Sequence, residues 1–219
     1  IKLQTAEGGV LNNASDFAMN AAFSGTRLTK KGAGWLKLYA DNGALDTLTV
    51  EAGVLQSNVA TPAKVLELKG GSVDLNQGSN VAVHVPKGKT SVLNCFADRG
   101  VYGNRLMGAG KVTIYYPLVK GSGWYAERAS FNGNWSAFEG TVVVSGVAAD
   151  GRFCLNNSNG MPKGTLEIPE GFIVQNTGKS FALGQVTGKG TLGGVCTLGG
   201  SAGSANTWTV GNDGNFTFE

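Results

Sequence analysis

The sequence predicts an all-β protein wound as a right-handed parallel β-helix, and three observations lead there. Short runs in which apolar and polar residues alternate return at intervals of roughly 15 to 30 residues, the behaviour of a repeat architecture. The runs are joined by Gly-x-Gly followed by apolar-x-apolar, where the hairpins of a sandwich would show Asn-Gly or Asp-Gly between longer runs. Glycine supplies 35 of the 219 residues and proline only 5, with 42% apolar residues between them, so the chain is rich in turns yet able to form a core. In such a coil, inward Leu, Val and Ile stack between successive turns about 4.8 Å apart.

Taken in order, IKLQTA opens as a strand candidate, and DFAMNAAF, which also has the spacing of a short helix behind Asn13, is assigned as a strand. The stretch from Leu28 to Gln56 shows the repeat most plainly. Its WLKLYA run places Leu36 and Leu38 inward and Trp35, Lys37 and Tyr39 outward. TLTVEA buries Leu48 and Val50 and exposes Thr47, Thr49 and Glu51. VLELKGG and SVDLNQ bury Leu66, Leu68, Val73 and Leu75 and expose Glu67 and Asp74. VAVHVPKG buries Val81, Val83 and Val85 and turns His84, the only histidine, outward.

Residues 87–104 lack regular alternation and predict a long excursion, after which GAGKVTIYYPLV sets Val112, Ile114 and Tyr116 against Lys111, Thr113 and Tyr115. Residues 120–139 hold Trp124, Tyr125, Phe131, Trp135 and Phe138 with little alternation, which predicts a loop whose aromatics plug the coil or form a platform. Strands in GTVVVSG, GRFCLNN, GTLEIPEG, FALGQVTG and TWTVG complete the series.

The chain is of a length for one domain, residues 1–219, with a sizeable core. Its 18 basic and 15 acidic residues are scattered, with no basic run longer than Lys30-Lys31, so no nucleic-acid footprint is expected. No apolar run approaches the roughly 20 residues of a membrane span. The start at Ile1, without a basic and apolar leader, reads as a module of a larger protein whose targeting signal lies elsewhere. Cys95, Cys154 and Cys196 are odd in number, lack CxxC spacing and read as buried free thiols.

A glycoside hydrolase needs two carboxylates about 5 to 9.5 Å apart across one sugar. Glu51, Glu67 and Asp74 fall on neighbouring strands, but exposed carboxylates on a β surface serve first for solubility and edge protection. His84 stands outside any catalytic motif, Gly188-Lys189-Gly190-Thr191 misses the phosphate-loop spacing, and no Asp-rich cluster supports a calcium site. No cofactor is expected.

LTKKGAGWLKL followed by TLTVEAGVLQ resembles the autotransporter-associated β-strand repeat. The later segments GAGKVTIYY, FNGNWSAFEGTVVVSG, LGQVTGKGTLGG and TWTVG are similar to β-helical modules of secreted polysaccharide-degrading proteins of gut Bacteroidetes. Among these, the carbohydrate-binding modules attached to xylan-degrading glycoside hydrolases match best in size and aromatic content. The resemblance implies a secreted or cell-surface, non-catalytic module. Its implied ligand is a plant cell-wall polysaccharide, xylan first, and its implied partner a catalytic domain in the same polypeptide. Two alternatives share the shape: a structural or adhesive passenger segment, and a β-helical polysaccharide lyase or hydrolase.

Sugar rings present apolar C–H faces rimmed by hydroxyls, so a site for them wants flat amphipathic aromatics beside hydrogen-bonding side chains. Trp35 and Tyr39 with Lys37, the outward Tyr115, and Trp124 and Tyr125 with Glu127 and Arg128 have that character. Trp135, Trp208 and Tyr116 read as packing residues. The Trp35 assignment depends on strand phase, because a one-residue slip would turn it inward.

Overall fold

The computed structural model describes residues 8–76, 78–96, 100–116, 128–146, 152–157, 159–176, 180–195 and 207–211, and all their regular structure is β. The first coil holds β1 (Gly9–Asn12) and β2 (Phe17–Met19), and the second β3 (Gly25–Lys31) and β4 (Trp35–Leu38). Next come β5 (Leu45–Val50) with β6 (Val54–Ser57), and β7 (Val65–Leu68) with β8 (Ser72–Asp74). The following two coils carry three strands each: β9 (Ala82–Val85), β10 (Thr90–Asn94) and β11 (Val101–Tyr102), then β12 (Leu106–Gly108), β13 (Lys111–Tyr116) and β14 (Arg128–Phe131). The series ends with β15 (Thr141–Gly146) and β16 (Arg152–Leu155), β17 (Met161–Glu167) and β18 (Ile173–Asn176), β19 (Ser180–Thr187) and β20 (Thr191–Val195), and finally β21 (Thr207–Val210).

All named pairings are parallel, and they gather the strands into three sheets. The first is β1-β3-β5-β7-β9-β12, the second β2-β4-β6-β8-β10-β13-β15-β17-β19-β21, and the third β11-β14-β16-β18-β20. The protein is a parallel β-solenoid. Its second sheet runs through every coil, while the first gives way to the third where β11 and β12 meet.

The repeat is visible in how inward residues stack. Leu36 pairs with Leu55, Leu55 with Val73, Val73 with Leu93, Leu93 with Ile114 and Ile114 with Val144, and all six are buried. Leu28, Leu48, Leu66, Val83 and Leu106 form the matching row of the first sheet. Each coil thus closes in about 20 residues and hands the next an apolar floor. On the third sheet aromatics take over: the rings of Tyr102 and Phe131 stack at 5.5 Å, and those of Phe131 and Phe153 at 6.4 Å. Trp135 packs on Phe131 and Trp208 on Phe181, so both fill the coil as expected.

Several expectations change. The helical alternative for the segment after Asn13 is resolved as β2. Residues 87–104 are not simply an excursion, because Thr90–Asn94 pairs with β8 and β13 and Val101–Tyr102 starts the third sheet. Phe131 lies in β14, and Phe138 is fully buried at a bridge to Gly108. Cys95 is a buried free thiol, but Cys154 is disulfide-bonded rather than free. Cys196 and the IKLQTA strand candidate lie outside the described residues.

Candidate functional site

The described aromatic candidates lie on one surface, the outward side of the second sheet. Leu36 and Leu38 are buried as the alternation requires, which sends Trp35 and Lys37 of β4 outward. Trp35 is half-buried rather than fully exposed. Its backbone N–H donates to Asp16 Oδ1 at 3.2 Å, and Lys37 Nζ lies 5.7 Å from its ring centroid and 3.8 Å from Asp16 Oδ2. This cation–π contact and the Asp16 carboxylate hold the indole and the ammonium as a unit. Tyr39, just past β4, is 53% exposed, with its N–H bonded to the Met19 carbonyl at 3.0 Å.

Tyr115 is half-buried on the outward side of β13, between the buried Ile114 and Tyr116. Register places it in one row with Lys37: Lys37 pairs with Gln56, Gln56 with Asp74, Asp74 with Asn94, Asn94 with Tyr115 and Tyr115 with Ser145. Four strand steps separate Lys37 from Tyr115, about 19 Å. The surface therefore carries an aromatic at each end of a polar row. Trp124, Tyr125 and Glu127 lie outside the described residues, and Arg128 contributes its backbone to β14 of the third sheet, opposite Arg152.

Asp74 departs from expectation. It occupies an outward register position yet is only 5% exposed; its Oδ1 accepts a hydrogen bond from Asn94 Nδ2 at 2.7 Å, while its Oδ2 is buried without a partner. Burial pushes its carboxyl above the ordinary value, against the Asn94 bond. Cys95 follows Asn94 in the chain; its burial, opposed by a bond with Tyr102 and reinforced by the Asp74 charge, raises the thiol far above its ordinary range, which makes it a poor nucleophile.

A second constellation, unanticipated from sequence, lies on the outward side of the first sheet. Thr49, Glu67 and His84 are successive register partners. Thr49, expected to be exposed, is buried and donates its hydroxyl to Glu67 Oε2 at 3.0 Å. The same oxygen lies 2.9 Å from Lys69 Nζ and 3.8 Å from Arg27 Nη1, and Oε1 is 3.7 Å from His84 Nδ1. Burial raises the Glu67 carboxyl, but the Lys69 and Thr49 hydrogen bonds and the Lys69 and Arg27 charges outweigh it and hold it below its ordinary value. His84 is thus outward, as expected, but beside a carboxylate.

The three carboxylates weighed as a hydrolytic set each have their own surroundings. Glu51 is paired with Lys31 at 3.3 Å, Glu67 sits in its cationic ring, and Asp74 belongs to the other sheet. Among the described residues, no three His, Cys, Asp or Glu side chains gather as a metal site. Against protein families, curated proteins and solved structures, no match to the chain is found.

Proposed function

We propose that the chain is a non-catalytic carbohydrate-binding module and that the outward face of its second sheet is the binding surface. The observation that carries this is the single register row from Lys37, beside Trp35, to Tyr115. Sugar rings stack on the Trp35 and Tyr115 faces, and the intervening amides exchange hydrogen bonds with hydroxyls; no bond is broken. Tyr39 extends the aromatic end beyond β4. A plant cell-wall polysaccharide, xylan first, is the ligand, and a catalytic domain in the same polypeptide is the partner that the module holds on its substrate.

An extracellular setting is supported by the disulfide at Cys154, since such bonds persist where thiols are oxidised. In affinity electrophoresis through gels holding xylan, pectin or β-glucan, wild type should be retarded by at least one. Trp35→Ala and Tyr115→Ala should each weaken retention about tenfold while keeping the wild-type β circular dichroism. Unretarded migration of the wild type in every gel would favour the structural or adhesive reading of the same fold. New reducing ends or unsaturated products from these polymers would instead establish a lyase or hydrolase.

A further inference from the structure

Three charged groups stand apart from the aromatics: the Glu67 carboxylate in its cationic ring, the buried Lys30 and the buried Asp74 in the middle of the polar row. Lys30 is occupied by the fold, donating to the carbonyls of Gly32 and Ala52 at 3.0 Å each. The Glu67 ring is internally compensated, with Lys69 at salt-bridge distance. Asp74 is different. A buried polar atom without a partner costs stability; several amide atoms share that condition among the described residues, but Asp74 Oδ2 is the one carboxylate oxygen, and it lies at an outward position of the sheet that carries the aromatics.

We propose, building on the glycan-binding reading, that the ligand is an uncharged, hydroxyl-rich chain lying across the strands and parallel to the solenoid axis, read by Gln56 and Asn94 between Lys37 and Tyr115. Three observations support the orientation and the class. The row advances one side chain per strand, about 4.8 Å, close to the length of one sugar unit in an extended chain. A chain running along the strands would instead meet residues of one coil only.

The described lysines in the strands of this sheet are each paired with a carboxylate: Lys37 with Asp16 at 3.8 Å, Lys111 with Glu167 at 3.0 Å and Lys163 with Glu139 at 3.0 Å. An acidic polymer would meet only paired lysines on these strands, whereas on the first sheet Arg27, Lys69 and His84 surround a single carboxylate, Glu67. Finally, Asp74 Oδ1 fixes the Asn94 amide by accepting its N–H at 2.7 Å. Asn94 is only half-buried, so its amide is held in place at the surface. Asp74 is a positioning residue, and its buried charge is retained for Asn94 rather than for stability.

The test is calorimetric titration of the whole chain with xylo- and cello-oligosaccharides of increasing length and with oligogalacturonides, at low and high salt. Affinity for one neutral series should rise until the chain spans about four strand steps, roughly four to five units, and should be insensitive to salt. Gln56→Ala and Asn94→Ala should each weaken the longest ligand about three- to tenfold. Asp74→Ala should match Asn94→Ala, with no further loss in the double variant and with the wild-type β circular dichroism retained, which a loss of local folding would not leave. Arg27→Ala should bind as wild type.

Neutral-glycan binding that is lost in Trp35→Ala, untouched in Gln56→Ala and Asn94→Ala, and saturated by a disaccharide would overturn the axial row and leave the binding-module reading standing. Salt-sensitive binding of oligogalacturonides abolished by Arg27→Ala would overturn the uncharged class and move the site to the first sheet. No heat with any glycan would remove both readings together.

Discussion

Glu67 and Asp74 are two acids at outward register positions whose surroundings drive them in opposite directions. The folded state holds Glu67 below its ordinary 4.5, so the unfolded chain takes up its proton first. Its stabilising contribution is therefore complete above about pH 4.5 and is lost as pH falls through the folded value. Asp74 is held above its ordinary 3.8, so its charge costs stability at neutral pH; that cost shrinks as pH falls through its folded value and is gone below about 3.8. Thermal melts at neutral pH should show Glu67→Gln destabilised and Asp74→Asn stabilised, each by about 1 kcal/mol. Melts repeated toward about pH 3 should bring Asp74→Asn back to wild type and narrow the Glu67→Gln difference, and parallel curves at all pH values would contradict the assignment. Alternation in the sequence indicated that both side chains point away from the core. It could not indicate their surroundings, because Thr49 and Glu67 meet across 18 residues of chain and Asp74 and Asn94 across 20.

At the scale of the element, the corner between β3 and β4 explains the LTKKGAG signature more fully than glycine flexibility does. Lys30 takes the inward place that Val50 and Leu68 fill on the next two coils and is completely buried. Its Nζ donates to the carbonyls of Gly32 and Ala52 at 3.0 Å and of Lys31 at 3.4 Å, so the ammonium satisfies backbone groups of two successive corners. Burial lowers its pKa. Gly53 lies beside it with φ 67°, and a Cβ there would stand 2.5 Å from the Gly32 and Gly34 carbonyl oxygens and 2.7 Å from Nζ. Lys30→Met keeps the length and apolar stem but removes the donor, and should destabilise the protein by about 1–3 kcal/mol in urea melts without changing the m-value. A neutral result would mean that water serves those carbonyls equally well. The burial of Lys30 was not legible, since a lysine at a core position has no distinguishing sequence pattern. The phase of β4, by contrast, was plain in WLKLYA, because two leucines two residues apart leave Trp35 and Lys37 one direction to take.

For the whole molecule, the solenoid was legible because each coil repeats the same local demand: an apolar stripe of period two, then a Gly corner. The exchange of the first sheet for the third was not legible. It rests on Tyr102, Phe131 and Phe153 stacking across coils, and the segments that hold Tyr102 and Phe131 have an irregular spacing that resembles loop. The site was legible only in part for the same reason. The sequence marks aromatics one at a time, and only register shows that Lys37, Asn94 and Tyr115 share a row.

The continuity of the second sheet also has a mechanical side. Nearly every backbone pairing joins a coil to its immediate neighbours, so a load applied at the two chain ends falls on the outermost coil first, and coils should peel singly. Under reducing conditions each release should lengthen the tether by about 70 Å, the extended length of about 20 residues, giving a regular staircase in an optical trap where a globular sandwich would give one rupture.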